Sequence, residues 1–530
     1  MTVAGHSARQ RGASGGADPP RGLLAIGVVV ACIIALPVAI TIVQAFQGGF
    51  AAAADALGAP STPRLLRNTV EVAALATPIA GIIGVASAWF VERTRLPGRR
   101  IWALLLVAPL TMPLFVTSYA WANLTPGLQG SFLQATAIVA FTYYPIVFLL
   151  VAVSLRGLDP ALEETARALG LGTWHIFFRV VLPQVRPAVL GGLLLVALDT
   201  LIEFDAFVAL KFQTFATDIY NQYRLGFSVS GAAALSFMSI ALCAVLLLGE
   251  AWLRGNANYT RVSLGIRRAT VRYELGKMTL PVVAGLTVII GLGLGIPVGT
   301  LVNWLLSSSH SALSGASGNL QYLLPATITS VLLGGAAALV AIMFALPVAA
   351  LAVRYRGWRV TAVERTAYLA YALPDLVGAI AIAYAASHWA RFAYGSFALL
   401  VLAEAVLFVP FAIVSLRATL GQIEPALEDS ARALGAGPLA TLRRVTGPLA
   451  RPGFLAAAML VFAFTLGDIS TTQVLLPLNS YTLGTEFQAN SSSIAFAAAA
   501  PFAAVLVVLA MGSAWVVMGG FGEVRQLGDA

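Results

Sequence analysis

Asp199 and Glu203 stand four residues apart inside one apolar run, and Asp468 follows Glu203 by 265 residues inside another. Four residues is about one helical turn, so the first two carboxylates share a face. Counting about 1.5 Å per residue from Arg186 puts Glu203 roughly 25 Å up a span, near its outer end. Carboxylates inside a bilayer are costly and mark either ion routes or paired structural sites. With the phenol of Tyr220 they offer the oxygen donors that hard cations prefer. The same acids would equally serve as helix caps or as partners of Lys211. Other chemistry is sparse. His6, His175, His310 and His388 lack ligand spacing, and Cys32 and Cys243 lie in apolar runs, which excludes a disulfide framework or a Cys-based metal site. No Ser/His/Asp arrangement accompanies them, so the chain is not expected to be an enzyme.

Such residues need an apolar scaffold. Of 530 residues, 59% are hydrophobic and 10% charged, against about 25% charged in soluble domains. Twelve runs, near 22–46, 69–91, 101–122, 132–154, 187–209, 229–253, 279–305, 323–352, 361–387, 396–416, 453–477 and 494–518, are long enough to span about 30 Å of hydrocarbon. With the N-terminus inside, 27 of the 32 Lys and Arg residues fall on the inner side, and only Arg64, Arg67, Lys211, Arg224 and Arg391 fall outside. That bias predicts cytoplasmic termini. It accounts for the net charge of +9 without a nucleic-acid partner, with anionic membrane lipids as the counter-charge. The first apolar run exceeds the roughly 7–15 residues of a signal-peptide core and is read as a span. Residues 1–21 read as a disordered cytoplasmic tail, 22–253 and 279–519 as two six-span domains, 254–278 as a basic cytoplasmic connector, and 520–530 as a cytoplasmic tail.

Sliding the chain by 265 residues lays DPALEETARALG (159–170) on EPALEDSARALG (424–435), Pro145 on Pro410 and Glu203 on Asp468. One ungapped offset over about 60 residues indicates duplication. An even number of spans per half makes the repeat parallel. The expected fold is an all-α polytopic membrane protein with about twelve transmembrane helices in two parallel six-helix repeats. Each dodecapeptide reads as a short cytoplasmic helix, capped by Asp159 or Glu424, begun by Pro160 or Pro425 and closed by Gly170 or Gly435. Ala166, Ala168, Ala431 and Ala433 keep one face shallow, as insertion into a groove requires. A helix written twice on one membrane face suits a two-fold partner. Taken singly, either would serve as a capped connector.

The sequence ETARALG, nine further residues and VVLP resembles the EAA loop of bacterial binding-protein-dependent ABC importers. Glu164, Ala166, Gly170, Val180, Leu182 and Pro183 take the motif positions in the first half. Asp429, Ala431, Gly435, Val445 and Pro448 take them in the second, where Asp429 replaces Glu and Gly447 replaces Leu. The resemblance implies a type I importer permease of the bacterial inner membrane with both membrane domains fused. Each loop would dock on one of two copies of a cytoplasmic ABC ATPase, and an external or lipid-anchored binding protein would deliver substrate. No P-loop pattern occurs, so the chain is expected to bind no cofactor, and ATP and Mg belong to the ATPase. The stretches 201–223 and 466–487 look like those of ferric-iron permeases. This implies Fe(III) passing Asp199, Glu203, Tyr220 and Asp468, with no permanently bound metal. The alternatives are a permease for thiamine, polyamine or phosphonate, and a secondary transporter of two six-span repeats. Asp375, beside a proline, would line a cavity at a broken helix or serve structure. Glu404 receives no role.

Overall fold

The computed structural model describes residues 19–47, 54–55, 58–158, 160–224, 229–254, 272–308, 321–369, 373–421, 423, 425–435 and 437–526. Residues 1–18 of the expected tail at 1–21, and most of the connector, therefore lie outside the described residues, and Arg21 already belongs to the first helix. The first half comprises α1 (Arg21–Gln47), α2 (Thr62–Arg93), α3 (Arg99–Val107), α4 (Leu114–Leu124), α5 (Phe132–Gly157), α6 (Pro160–Ala168), α7 (Leu182–Ile202), α8 (Asp205–Leu210), α9 (Phe215–Arg224) and α10 (Val229–Arg254). The second comprises α11 (Thr279–Ile290), α12 (Ile296–Ser308), α13 (Leu323–Arg354), α14 (Trp358–Leu369), α15 (Asp375–Trp389), α16 (Phe397–Leu420), α17 (Pro425–Ala433), α18 (Gly447–Gly467), α19 (Ser470–Leu475), α20 (Leu483–Ser492) and α21 (Phe496–Gln526). The last helix continues to Gln526, so no break marks residue 520.

Among the described residues nine helical stretches are long and apolar enough to cross a membrane, or ten if a bent pair is one span. Twelve were expected, and proline explains most of the difference. The run at 101–122 bends by 90° between α3 and α4. The run at 361–387 divides into α14 and α15. Pro113 precedes α4 and Pro374 precedes α15 with nearly the same backbone angles, φ −54° ψ 130° and φ −53° ψ 134°. Proline starts a helix readily and disfavours helix in the residue before it. The run at 229–253 does form one helix, α10, of 26 residues.

The repeat changes register between the helices α4 and α15 and the pair α5 and α16 that follows them. Ser131 and Ser396, 265 residues apart, cap α5 and α16 by accepting the Gln134 and Leu399 N–H groups at 3.2 Å. That offset persists through α8 and α19. Before it, Arg93 and Arg354 end two 32-residue helices, and Pro113 matches Pro374, at an offset of 261. The missing residues sit in α15, which has 15 residues where α4 has 11, a difference of about one turn.

The halves interlock through their first helices. α1 packs on α13, α14 and α15, while α11 and α12 pack on α3 and α4. Val30 and Ile34 share a core with Val348 and Val363, and Val282 and Leu286 share one with Trp89 and Phe148. Small residues allow the close approach that packing in lipid requires. A Cβ on Gly84 of α2 would lie 2.7 Å from Val147 of α5 and 2.9 Å from the Tyr144 carbonyl. Ile82, Leu104, Val153, Leu339 and Val508 face outward, as a lipid-facing surface demands.

Candidate functional site

Both copies of the polar heptapeptide fold as short helices. α6 and α17 end on glycines with φ of +80° (Gly170) and +85° (Gly435). The Gly170 N–H donates to the Arg167 carbonyl at 2.9 Å and the Leu171 N–H to the Ala166 carbonyl at 3.1 Å, a left-handed helix ending. A Cβ at either glycine would meet nothing within 4 Å, so the requirement is conformational. The expected caps, Asp159 and Glu424, lie outside the described residues. Each half continues through one wide π-type turn, Phe177–Val181 or Leu442–Thr446, into α7 or α18, with Pro183 or Pro448 in the first turn.

The acids of each helix divide between two faces. Glu164 and Asp429 are exposed, whereas Glu163 and Glu428 are buried. Glu163 Oε1 lies 3.0 Å from Arg93 Nη1, and both side chains are 1% exposed. Arg93 also donates to the Leu155 carbonyl at 2.9 Å. The Tyr273 hydroxyl donates to Glu163 at 3.1 Å, and Arg167 lies over the Tyr273 ring at 4.7 Å. Burial raises the Tyr273 phenol above its ordinary value, so it remains a donor. In the second half Arg354 donates to Glu428 at 2.8 Å and to the Ile423 carbonyl at 3.2 Å, and the Thr446 hydroxyl donates to Glu428 at 3.0 Å. Arg432 is 3.7 Å from the same carboxylate.

A long span thus ends in an arginine that clamps the short helix, once per half. Ala166 turns inward and is buried in the first-half core, against which Leu182 also packs. The small size of Ala166 therefore serves approach of α6 to its own spans, contrary to the groove-facing role expected for it. Ala431 is half-buried and Ala168 and Ala433 are exposed. Leu169 (77% exposed) and Leu434 (89% exposed) flank Glu164 and Asp429 on the outer side, joined by Leu162 and Leu427. An anchored helix presenting leucines and one acid suits docking.

The second cluster lies where α7 gives way to α8 and α18 to α19. Glu203 accepts the Ala206 N–H at 3.0 Å, and Asp468 accepts the Thr471 N–H at 3.2 Å, so each carboxylate caps the short helix that follows. The Tyr143 hydroxyl donates to Glu203 at 2.8 Å. Ser470 donates to Asp205 at 3.0 Å. Asp205 and Ser470 hold equivalent places in the two halves, and a residue touching its own counterpart must lie on the pseudo-two-fold axis. Glu203 and Asp468 flank that axis. Asp199, one turn before Glu203 and half-buried, acts on both Cys243 and Asp375. Tyr220 is half-buried on α9 with its ring 5.1 Å from Phe204. Lys211 is exposed at the end of α8. Among the described residues no three His, Cys, Asp or Glu side chains are grouped to hold a metal ion.

Pattern reading passed over Arg93, Arg354, Tyr273, Asp205 and Glu404. The arginines carried a signal, since each closes a long apolar helix, but their spacing of 261 hid them from the 265-residue comparison. Asp205 and Glu404 carried none, because their counterparts are Ser470 and Val139.

A family model described as "Binding-protein-dependent transport system inner membrane component" matches residues 80–255 and again 340–518. The Fe(3+)-transport system permease protein FbpB 2 of Haemophilus influenzae is 31% identical over 92% of this chain and 96% of its own length. The ferric transport system permease protein FbpB of Actinobacillus pleuropneumoniae is 24% identical over 84% of this chain and 70% of its own. The sulfate transport system permease protein CysT of Escherichia coli is 31% identical over 41% of this chain and 85% of its own, as expected where one half here matches a whole relative.

Proposed function

This chain belongs to the family of binding-protein-dependent transport system inner membrane components, and on that premise we propose that it is a fused permease carrying ferric iron across the inner membrane. A single observation carries the choice of cargo. Asp205 and its counterpart Ser470 meet on the pseudo-two-fold axis, flanked by Glu203 and Asp468. A negative axis attracts a hard cation, for which carboxylate oxygens are the natural donors, and repels a dianion such as sulfate. The Fe(3+) and ferric permeases among the relatives support the same cargo. Glu203 and Asp468 line the route, with Asp199 and Tyr220 on its first-half side. Their spacing favours weak, successive contacts over tight ligation, which transit requires.

An external binding protein delivers the iron. α6 and α17 face the cytoplasm, as do both termini, and each docks on one copy of an ATPase that supplies the ATP and Mg chemistry. Glu164 and Asp429, with the flanking leucines, form the contact. The buried pairs Arg93–Glu163 and Arg354–Glu428 transmit the ATPase movement to α2 and α13. The test is reconstitution of the chain with its ATPase and binding protein. ATP-dependent uptake of iron, lost when Gly170 and Gly435 are both replaced by Val, is expected. Uptake in the absence of ATPase would sink the reading in favour of a secondary transporter. Retention of sulfate, thiamine, polyamine or phosphonate by the binding protein would replace the cargo.

A further inference from the structure

The acids around the axis are shared unequally between the halves. Glu203 and Asp468 are counterparts, but Asp205 meets Ser470, Asp375 stands where the first half has Leu114, and Glu404 stands where it has Val139. Glu404 is the most demanding of them. It lies within α16 and is 0% exposed. Both of its carboxyl oxygens are buried and meet no donor in good hydrogen-bond geometry among the described residues, the Thr465 hydroxyl of α18 being the side chain that bears on them. α16 packs against α15, which begins with Asp375, and against α18 and α19, which flank Asp468, so the axial acids are the charges that act on Glu404. Burying a carboxyl in that state is costly in either protonation state. Packing does not demand it, because valine fills the equivalent place in the first half.

We infer that Glu404, Asp375 and Asp468, with Asp205 reaching across from the first half, form an intramembrane station that holds the cargo cation in transit and belongs mainly to the second half. The inference rests on the reading above that the cargo is a cation. Four carboxylates supply hard oxygen donors. They are too dispersed here to act as a fixed metal site, which suits a station that must also release. Asp205 is hydrogen-bonded to its own counterpart at 3.0 Å. Rotation of one half against the other therefore changes its distance to the other three acids, and with it the strength of the station. The first half has no equivalent, so the cation is handed over off the axis, on the second-half side.

The experiment uses the full chain reconstituted with its ATPase and binding protein, and reads iron uptake per ATP hydrolysed. Glu404→Gln and Glu404→Val are expected to lower that ratio about tenfold or more, with Glu404→Asp falling less and Asp375→Asn behaving like Glu404→Gln. A ratio within about twofold of the parent in Glu404→Gln overturns the station. So does a parallel loss of uptake and hydrolysis that leaves the ratio unchanged in both Glu404→Gln and Glu404→Asp, since that marks a structural role. If the binding protein delivers a different cation whose uptake Glu404→Gln still blocks, the ferric assignment fails and the station stands. If it delivers an anion, both fail.

Discussion

At the scale of single residues, the two short polar helices α6 and α17 rest on charge burial and on one backbone conformation each. Arg93→Leu would leave Glu163 buried with only the Tyr273 hydroxyl, and losing one partner of a buried pair costs about 3–5 kcal/mol. Arg354→Leu would leave Glu428 with Thr446 and Arg432, so a smaller loss is expected. Thermal unfolding of the purified chain should rank the two in that order, and equal shifts would refute the asymmetry. The double variant Arg93→Leu with Glu163→Leu should recover much of the loss, since no lone charge remains. At Gly170 the left-handed angle disfavours any Cβ by about 1–2 kcal/mol, and asparagine tolerates it better than alanine. ATPase co-purification should therefore fall more with Gly170→Ala than with Gly170→Asn.

At the scale of elements, the duplicated halves differ in how their short helices are braced. Residues just before α11 are tied to the end of α2: the Tyr273 N–H donates to the Arg93 carbonyl at 2.8 Å and the Arg95 N–H to the Tyr273 carbonyl at 3.0 Å. Tyr273 then packs on Trp89, 5.4 Å between ring centroids, and Trp89 on Phe177, 4.8 Å. The second half has Ala350 and Leu442 at the Trp89 and Phe177 positions. Tyr273→Ala should therefore speed backbone hydrogen exchange in 160–168 and leave 425–433 unchanged, and a uniform effect on both segments would contradict this brace. The extra turn in α15 is a second such difference. It lengthens the helix that begins with Asp375, on the half that also carries Glu404.

For the whole molecule, the proposed transport requires the two halves to move against each other at the axis where Asp205 meets Ser470. Asp205→Cys with Ser470→Cys places two thiols where two side chains already meet. Oxidation should link them, stop iron uptake, and be reversed by reductant, and uptake that persists in the linked protein would show that the halves do not separate there. The all-helical fold, the duplication, the short polar helices and the acids at Glu203 and Asp468 were legible from the chain. Each is written in local signals: apolar run length, Pro and Gly placement, and one constant spacing over the best-preserved stretch. Four things came only from the tertiary structure: which acid of each pair turns inward, the pairing of Arg93 with Glu163 and Arg354 with Glu428, the exchange of α1 and α11 between halves, and the position of Asp205 at the axis with the full burial of Glu404. These depend on contacts between residues tens to hundreds of positions apart. Local periodicity says which face of a helix is apolar, but the packing of one half against the other decides what a buried charge meets.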